Sequence, residues 1–271
     1  MDIRLVVLDI DGTIAGESND ISPAVREAVR DVLARGIPVA IATGRMYRSA
    51  LRFYQALELQ TPLIAYNGAW TQAPGQAERM HHQPLAPELV ASLLDILEMA
   101  EWRSQIGVHC YIDDRLHVRE VTDETRAYAG RSGIEPIAVG DLRQLLNQEI
   151  TKVLTLCEDR QLIGAILAKL RSHYSTHDVY LTQSTPTFLE ATHPQVNKGT
   201  AVRRLAEDVL GLQAEQVLAI GDNWNDAEML DYAGIGVAMG SAPTGVKDIA
   251  QWVAPDVEAD GVVAALAKFL P

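Results

Sequence analysis

The sequence is poor in cysteine, in positive charge and in long apolar runs, and each shortage narrows what the chain can be. Only two cysteines occur, Cys110 and Cys157. They form no CxxC pair and no Cys/His cluster with zinc spacing. Each lies in an apolar run, which reads as a buried free thiol. Lys and Arg total 23 against 36 Asp and Glu, a net charge of −13. A field of that sign repels nucleic-acid phosphates, so no nucleic-acid partner is expected. It also repels a small phosphorylated ligand unless the binding site carries its own cation and basic groups. No apolar run approaches membrane-spanning length, and no membrane partner is expected. The chain enters a strand directly from its N-terminus without signal-peptide architecture, which makes the cytoplasm the expected compartment.

What is present is ordinary globular material, 48% hydrophobic and 22% charged over 271 residues, enough for one large core or two smaller ones. The first informative stretch is Leu5-Val6-Val7-Leu8-Asp9-Ile10-Asp11-Gly12-Thr13. Its β-branched start is the pattern of a buried strand. That strand ends on two near-adjacent carboxylates, which repel one another unless a cation or a proton intervenes. Such a pair suits Mg²⁺, a hard cation that prefers oxygen ligands, and equally suits an Asp that forms an acyl-phosphate. The plain alternative is a turn, since Asp and Gly are common turn formers.

The following chain alternates strands and helices. Ser22-Pro23 opens a helix with Val25, Val29, Val32 and Leu33 as its apolar stripe and Gly36 as its stop. Short apolar runs at 37–42 and 62–65 frame a helix over 46–59. This rhythm predicts a Rossmann-like parallel sheet with right-handed crossovers. Residues 67–83 read as a hairpin or flap. From there the texture becomes α+β: a helix over 85–102, a hairpin turning at Asp113-Asp114, a helix over 123–132, irregular sequence, a strand over 151–156, a helix over 160–173 and a second hairpin over 178–191. Residues 83–190 are therefore expected to be an inserted α/β domain within a core made of 1–82 and 191–271. The first rhythm returns with Asn197-Lys198-Gly199, a helix to Leu210, a strand over 216–220 and Gly221-Asp222-Asn223-Trp224-Asn225-Asp226. Gly234 to Gly240 superficially resembles a dinucleotide loop, but its spacing is wrong and it opens no N-terminal strand–helix unit.

Three polar punctuations directly follow short strands: Asp9-x-Asp11, Thr43-Gly44-Arg45 and Gly221-Asp222. In an open parallel α/β sheet, ligands bind beyond the carboxyl ends of the strands, so these groups are expected to converge. Lys198 starts a helix, where backbone amides and the dipole favour an anion. The expected roles follow. Asp9, Asp11 and Asp222 bind one Mg²⁺, with Asp11 using either its carboxylate or its backbone carbonyl. Thr43 and Lys198 bind phosphoryl oxygens, helped by Asn225 and the backbone amides of Ile10 and Gly44. Asp226 orients Lys198 or the metal waters. Arg45 either steers phosphate or pairs with a nearby acid.

Taken singly, each segment could be a loop or a helix cap; together, in this order, they resemble one family. Asp9-Ile10-Asp11-Gly12-Thr13, Thr43 in Ile-Ala-Thr-Gly-Arg, Lys198 in Asn-Lys-Gly, and the Gly221–Asp226 segment resemble the four motifs of the haloacid dehalogenase (HAD) superfamily, specifically its Cof-type phosphatases with a large α/β cap. Tyr66-Asn67-Gly68-Ala69 and Val237-Ala238-Met239-Gly240 are also similar to family features. Trp224 is bulky for the fourth motif, and Gly240-Ser241-Ala242 departs from the family's usual sequence after the Met.

That resemblance implies an Mg²⁺-dependent phosphatase acting on small phosphomonoesters such as sugar phosphates or phosphorylated cofactors. It implies Asp9 as the nucleophile that becomes a phospho-aspartate, Asp11 as the general acid and then base, and the inserted cap as the substrate-selecting domain. A phosphomutase or phosphotransferase of the same fold, or a metabolite-binding protein that kept the fold without the chemistry, would carry the same motifs. Nothing in the sequence demands more than a monomer or a weak dimer.

Overall fold

The computed structural model describes residues 2–270, which divide into two compact units. One comprises residues up to His81 together with 197–270, and the other is the continuous segment His82–Val196.

In the first unit the chain begins with β1 (Leu5–Leu8), α1 (Pro23–Ala34), β2 (Val39–Ile41), α2 (Tyr47–Ala56), β3 (Leu63–Ala65) and β4 (Trp70–Gln72). A two-residue strand, β5 (His81–His82), marks the boundary with the next unit. The local reasons are simple. All four residues of β1 are buried, as a strand covered on both faces requires. The Ser22 hydroxyl accepts from the Val25 amide and caps α1, while Pro23 fits its first turn. Val25, Val29 and Val32 form its buried stripe.

The insertion follows as α3 (Pro87–Leu97), β6 (Gly107–Ile112), β7 (Arg115–Val118), α4 (Asp123–Ser132), β8 (Pro136–Ala138), β9 (Ile150–Leu156), α5 (Arg160–His173), β10 (Tyr180–Thr182) and β11 (Phe188–Thr192). The first unit then resumes with α6 (Lys198–Arg204), β12 (Val217–Gly221), α7 (Ala227–Tyr232), β13 (Ile235–Ala238), α8 (Thr244–Ile249), β14 (Trp252–Val253) and α9 (Gly261–Phe269).

The first unit is built on a five-stranded sheet in the order β14-β13-β12-β1-β2, with every pair parallel. From β1 the sheet grows through β2 on one side and through β12, 212 residues later at its first position, on the other. Leu8 lies in register with both Ile220 and Ile41. The carboxyl ends of β2, β1 and β12 are therefore side by side at the point where the strand order reverses, which is where open α/β sheets hold ligands. One expectation needs correction: β3 is not a full member of this sheet. It joins β2 by a single parallel bridge, Ala42 to Ile64, and pairs instead with β4 in a separate antiparallel ladder.

The second unit is a six-stranded sheet in the order β10-β11-β9-β6-β7-β8. It is antiparallel except for the β7–β8 pair. The β6–β7 hairpin turns on Asp113 and Asp114, both at positive φ (47° and 56°), as a two-residue turn matched to strand twist requires. Strand β8, in a stretch whose sequence reads as irregular, lies at the sheet edge and starts with Pro136, a position that tolerates the missing amide. Helix α3 ends at Leu97, five residues before the expected Trp102. Beyond it, Met99 donates to Ile96 and Trp102 to Met99 across three-residue turns, and Trp102 packs on the core through them.

Helices α3 and α5 bury Leu93, Leu94, Leu97, Ile163 and Ile166 with Val108, Cys110 and Val153 of the sheet. Both cysteines are free and buried, and burial followed by the charge of Glu98 pushes the Cys110 thiol up to about 12. This unit also buries one ion pair. The Lys152 ammonium lies 3.5 Å from a Glu190 carboxylate oxygen, and both side chains are under 5% exposed. Ser184 donates to Glu190 at 2.7 Å, and Lys152 sits 5.0 Å from the Tyr111 ring centroid. Nearby, His109 Nε2 meets Thr125 Oγ1 at 3.2 Å, and burial followed by repulsion from Lys152 lowers its pKa to about 3.

Candidate active site

Asp9 is the first residue beyond β1, and its amide donates to Ile220 of β12 at 3.0 Å, so the ladder itself fixes the start of the loop. The chain then coils tightly: the amides of Ile14 and Ala15 both donate to the Ile10 carbonyl. Gly12 sits at φ +78°, and a Cβ there would fall 2.2 Å from a carboxylate oxygen of Asp222. Glycine is thus required twice over, for the left-handed backbone and for the close approach of the carboxylate that follows β12.

Lys198 opens α6. Asn197 caps that helix through a reciprocal pair with Thr200, which fixes where the helix begins and hence where Lys198 stands. Gly199 lets α6 press on α7, since a Cβ there would lie 2.4 Å from the Glu228 carbonyl oxygen. The Lys198 ammonium is fully buried. It donates to Asp9 Oδ1 and to Asp226 Oδ1, each at 2.6 Å. The other oxygen of Asp226 accepts from the backbone amides of Asp222 and Asn223 at 2.9 and 3.1 Å. Asp226 thereby ties the loop after β12 to Lys198, which in turn ties it to Asp9.

Carboxylate oxygens of Asp9, Asp222 and Asp226 all lie within 4.8 Å of one another. Against them stands one ammonium, and the electrostatics register the imbalance. Burial, only partly offset by Lys198 and reinforced by Asp226 and Asp11, raises Asp9 to about 7. Burial, then repulsion from Asp226 and Asp9, raises Asp222 well above the usual carboxylate range. Burial acts to lower Lys198, but attraction to Asp226 and Asp9 outweighs it and holds the ammonium charged. Buried and half-buried carboxylates in this excess, presenting only oxygen donors, fit a hard divalent cation.

Asp11 is placed differently. Its carboxylate is turned to Arg45, which donates from Nε to Oδ2 at 2.8 Å and from Nη2 to Oδ1 at 2.5 Å. Of the two readings open for Arg45, the structure shows pairing with an acid. Arg45 Nη2 also donates to Asn19 Oδ1 at 2.6 Å, and the guanidinium lies 4.6 Å from the Phe53 ring centroid. The oxygen cluster therefore contains Asp226 and not the Asp11 carboxylate, which is one of the two routes to a cation that the sequence left open.

Thr43 follows β2, buried, with its amide donating to Ile64 and its hydroxyl accepting from the Arg45 amide at 3.1 Å. Gly44 stands between them in this loop. Asn225 is buried and donates from Nδ2 to Asn67 Oδ1 at 3.1 Å. Trp224 beside it is half exposed, and its ring lies so close over Gly245 that a Cβ there would be 2.5 Å away. Two partnerships were not legible in the sequence: Arg45 with Asp11 and Asn67 with Asn225. The second left one trace, since Asn is among the few residues that tolerate a left-handed backbone. His82, the one flap histidine in the second unit, bonds Thr151 Oγ1 at 2.9 Å.

Against known proteins, a sequence model of the haloacid dehalogenase-like hydrolases matches residues 6–266. The chain is 32% identical over 269 residues to a 5-amino-6-(5-phospho-D-ribitylamino)uracil phosphatase of Bacillus subtilis, covering 98% of this chain and 97% of that protein. It is 29% identical to a pyridoxal phosphate phosphatase of Escherichia coli, covering 97% of each. Among solved structures, a haloacid dehalogenase-like hydrolase from Bacteroides thetaiotaomicron aligns with a TM-score of 0.84 at 25% identity, over 98% of this chain and 99% of that one.

Proposed function

The chain belongs to the haloacid dehalogenase-like hydrolases, enzymes whose named relatives here are phosphatases, and from that premise we propose that it hydrolyses small phosphomonoesters through a phospho-aspartate at Asp9. The observation that carries this reading is the Asp9–Lys198–Asp226 chain of contacts beside Asp222: a nucleophile-capable carboxylate held by one buried ammonium within an excess of negative charge.

In this mechanism a carboxylate oxygen of Asp9 attacks phosphorus and the P–O bond to the substrate alcohol breaks. The departing oxygen takes the proton of Asp11. Water then attacks the phospho-aspartate, Asp11 accepts a proton from that water, and the bond between phosphorus and Asp9 breaks to release inorganic phosphate and restore both carboxyl groups. Arg45 holds the Asp11 carboxylate by two hydrogen bonds and so fixes its orientation in this loop. Lys198, Thr43, Asn225 and the backbone amides of Ile10 and Gly44 bind the phosphoryl oxygens, and Lys198 together with them offsets the developing charge. Asp9, Asp222 and the Asp11 carbonyl would hold Mg²⁺, with Asp226 beside them. The cation, when bound, supplies positive charge against the transferring phosphoryl group and lets a dianion approach carboxylates.

The segment His82–Val196 acts in this reading as the substrate-selecting cap. The substrates of the two relatives, a phosphoribityl pyrimidine and pyridoxal phosphate, make sugar phosphates and phosphorylated cofactors the first compounds to try. We assign the protein to the cytoplasm as a monomer or weak dimer; among the described residues no helix is long and apolar enough to cross a membrane.

The test is phosphate release from a panel of such esters, with Mg²⁺ and with EDTA, on the wild type and on Asp9→Asn. Metal-dependent release that falls by about 10³-fold or more in the variant is expected. Transfer of phosphate between organic hydroxyls without net release would favour a mutase, and retained ligand binding with no turnover would favour a metabolite-binding protein.

A further inference from the structure

Tyr66 and Asn67 are consecutive non-glycine residues in the left-handed region, at φ 52° and 55°. Such a pair is uncommon, and backbone outliers of this kind persist only where surrounding contacts over-determine them. Both side chains are fully buried.

The turn is fixed from three directions, and each fixing contact is with a different segment of the candidate site. Toward the loop after β2, the Tyr66 amide donates to the Arg45 carbonyl and the Asn67 amide to the Thr43 carbonyl, each at 2.9 Å. Toward α6, Gly68 (φ +102°) lies so close that a Cβ would fall 2.8 Å from the Asn197 carbonyl oxygen and 2.7 Å from the Ala201 Cβ. Toward the loop after β12, Asn67 Oδ1 accepts the amide hydrogen of Asn225, 158 residues away in sequence. One turn therefore braces the segments that carry Thr43, Lys198 and Asn225.

Backbone freedom alone would be served better by glycine at position 67. What glycine could not provide is an acceptor for Asn225. Asn225 is 3% exposed, so the direction of its amide is set by this partner and not by solvent. We propose that Asn67 is a positioning residue for phosphate: it orients the Asn225 amide and, through the turn it occupies, holds the Thr43 loop against it. The assignment rests on the phosphatase reading above, and its chemical target is the phosphoryl group common to all substrates, not any leaving group.

The experiment uses Asn67→Gly, which keeps the left-handed backbone and deletes the acceptor, with Asn225→Ala and the double variant. Each is assayed in the presence of Mg²⁺ for kcat and KM with p-nitrophenyl phosphate and for inhibition by inorganic phosphate, alongside thermal melting. Asn67→Gly is expected to weaken inorganic phosphate about tenfold and to raise KM more than it lowers kcat, with a melting temperature lowered by less than that of Asn67→Ala. In the Asn225→Ala background the same change is expected to cost no more than about twofold, because the group it positions is gone. Asn67→Ala, which forces a Cβ without an amide into the left-handed region, should share the phosphate defect and also melt earlier. Unchanged phosphate affinity in Asn67→Gly, or an equal penalty in both backgrounds, overturns the assignment. A wild type that neither releases nor binds phosphate overturns the phosphatase reading and this assignment with it; an active wild type with an indistinguishable Asn67→Gly overturns this assignment alone.

Discussion

Each unit of this protein buries a lysine, and the company each lysine keeps is different. In the inserted unit Lys152 meets one carboxylate, Glu190, with Ser184 on the acid and the Tyr111 ring beside the ammonium. In this pair one ammonium meets one carboxylate. In the first unit Lys198 meets Asp9 and Asp226 while Asp222 stands within the same oxygen cluster. Three carboxylates share one ammonium. A balanced buried pair is complete as folded. An unbalanced one favours protons or a cation on the acids: burial first, and then repulsion between the carboxylates, drives Asp9 and Asp222 upward. Burial of charge, then, does not by itself mark a site; surplus of one sign does.

That contrast can be broken most forcefully at Lys198. Lys198→Met leaves the three carboxylates without their ammonium, and we expect a loss of about 3–5 kcal/mol in chemical denaturation without divalent cation, together with loss of turnover. In the inserted unit Glu190→Gln should cost about 3 kcal/mol by stranding Lys152, while Lys152→Met with Glu190→Leu should return close to wild type, because a balanced pair can be replaced by apolar contacts. No such apolar rescue of function exists for the first cluster. If Glu190→Gln melts like wild type, the pair is not what balances that unit.

Asp9→Asn sharpens the comparison in the opposite direction. Removing one surplus charge should leave the cation-free protein as stable as wild type or up to about 1–2 kcal/mol more stable at pH 8, despite the loss of activity. The sign follows from the raised pKa. A carboxyl at 3.8 when unfolded and about 7 when folded contributes stability that is whole below pH 4 and is lost as pH rises through 7. The wild type in EDTA should therefore lose stability between pH 4 and pH 8, and Mg²⁺ should restore it most at the upper end. By the same linkage, Mg²⁺ affinity should weaken by up to tenfold per pH unit below pH 7, since the cation must displace protons. Calorimetric titration at pH 6, 7 and 8 checks this; a pH-independent affinity would show that Asp9 is already ionised without the cation.

The smallest effect is expected at Trp224. It is half exposed, and Trp224→Ala should change stability by less than about 1 kcal/mol. A KM that changes with the size of the leaving group, at constant phosphate inhibition, would place the indole at the mouth of the site.

Surplus charge at strand ends is also what a bare sequence reveals most readily, and balanced pairing is what it hides. The parallel sheet was legible because β1, β2 and β12 are short apolar runs that each stop at a polar residue, and a strand that stops abruptly announces its carboxyl end. The gathering of Asp9 and Asp222 followed from that placement; Lys198 was reached separately, as a cation at a helix start. What escaped was pairing between segments. No periodicity announces that the Asp11 carboxylate turns to Arg45, because either acid could have taken that guanidinium. Nor does composition say that Asn67 meets Asn225. The Lys152–Glu190 pair was equally silent: each lies in a separate strand, and the β9–β11 pairing brings them together. Strand β8 and the early end of α3 were set by packing, where tertiary contacts override local preference.

The two buried lysines also give the molecule a pair of internal clocks. Lysines occur at positions 152, 169, 198, 247 and 268, and only Lys152 and Lys198 are sealed from solvent. An amine-acylating reagent should modify the other three quickly and reach these two only when the surrounding structure opens. Since one lies in each unit, the mass-spectrometric rate at Lys198 times the opening of the sheet that carries the site, and the rate at Lys152 times the opening of the insertion, in the same tube and on unmodified protein.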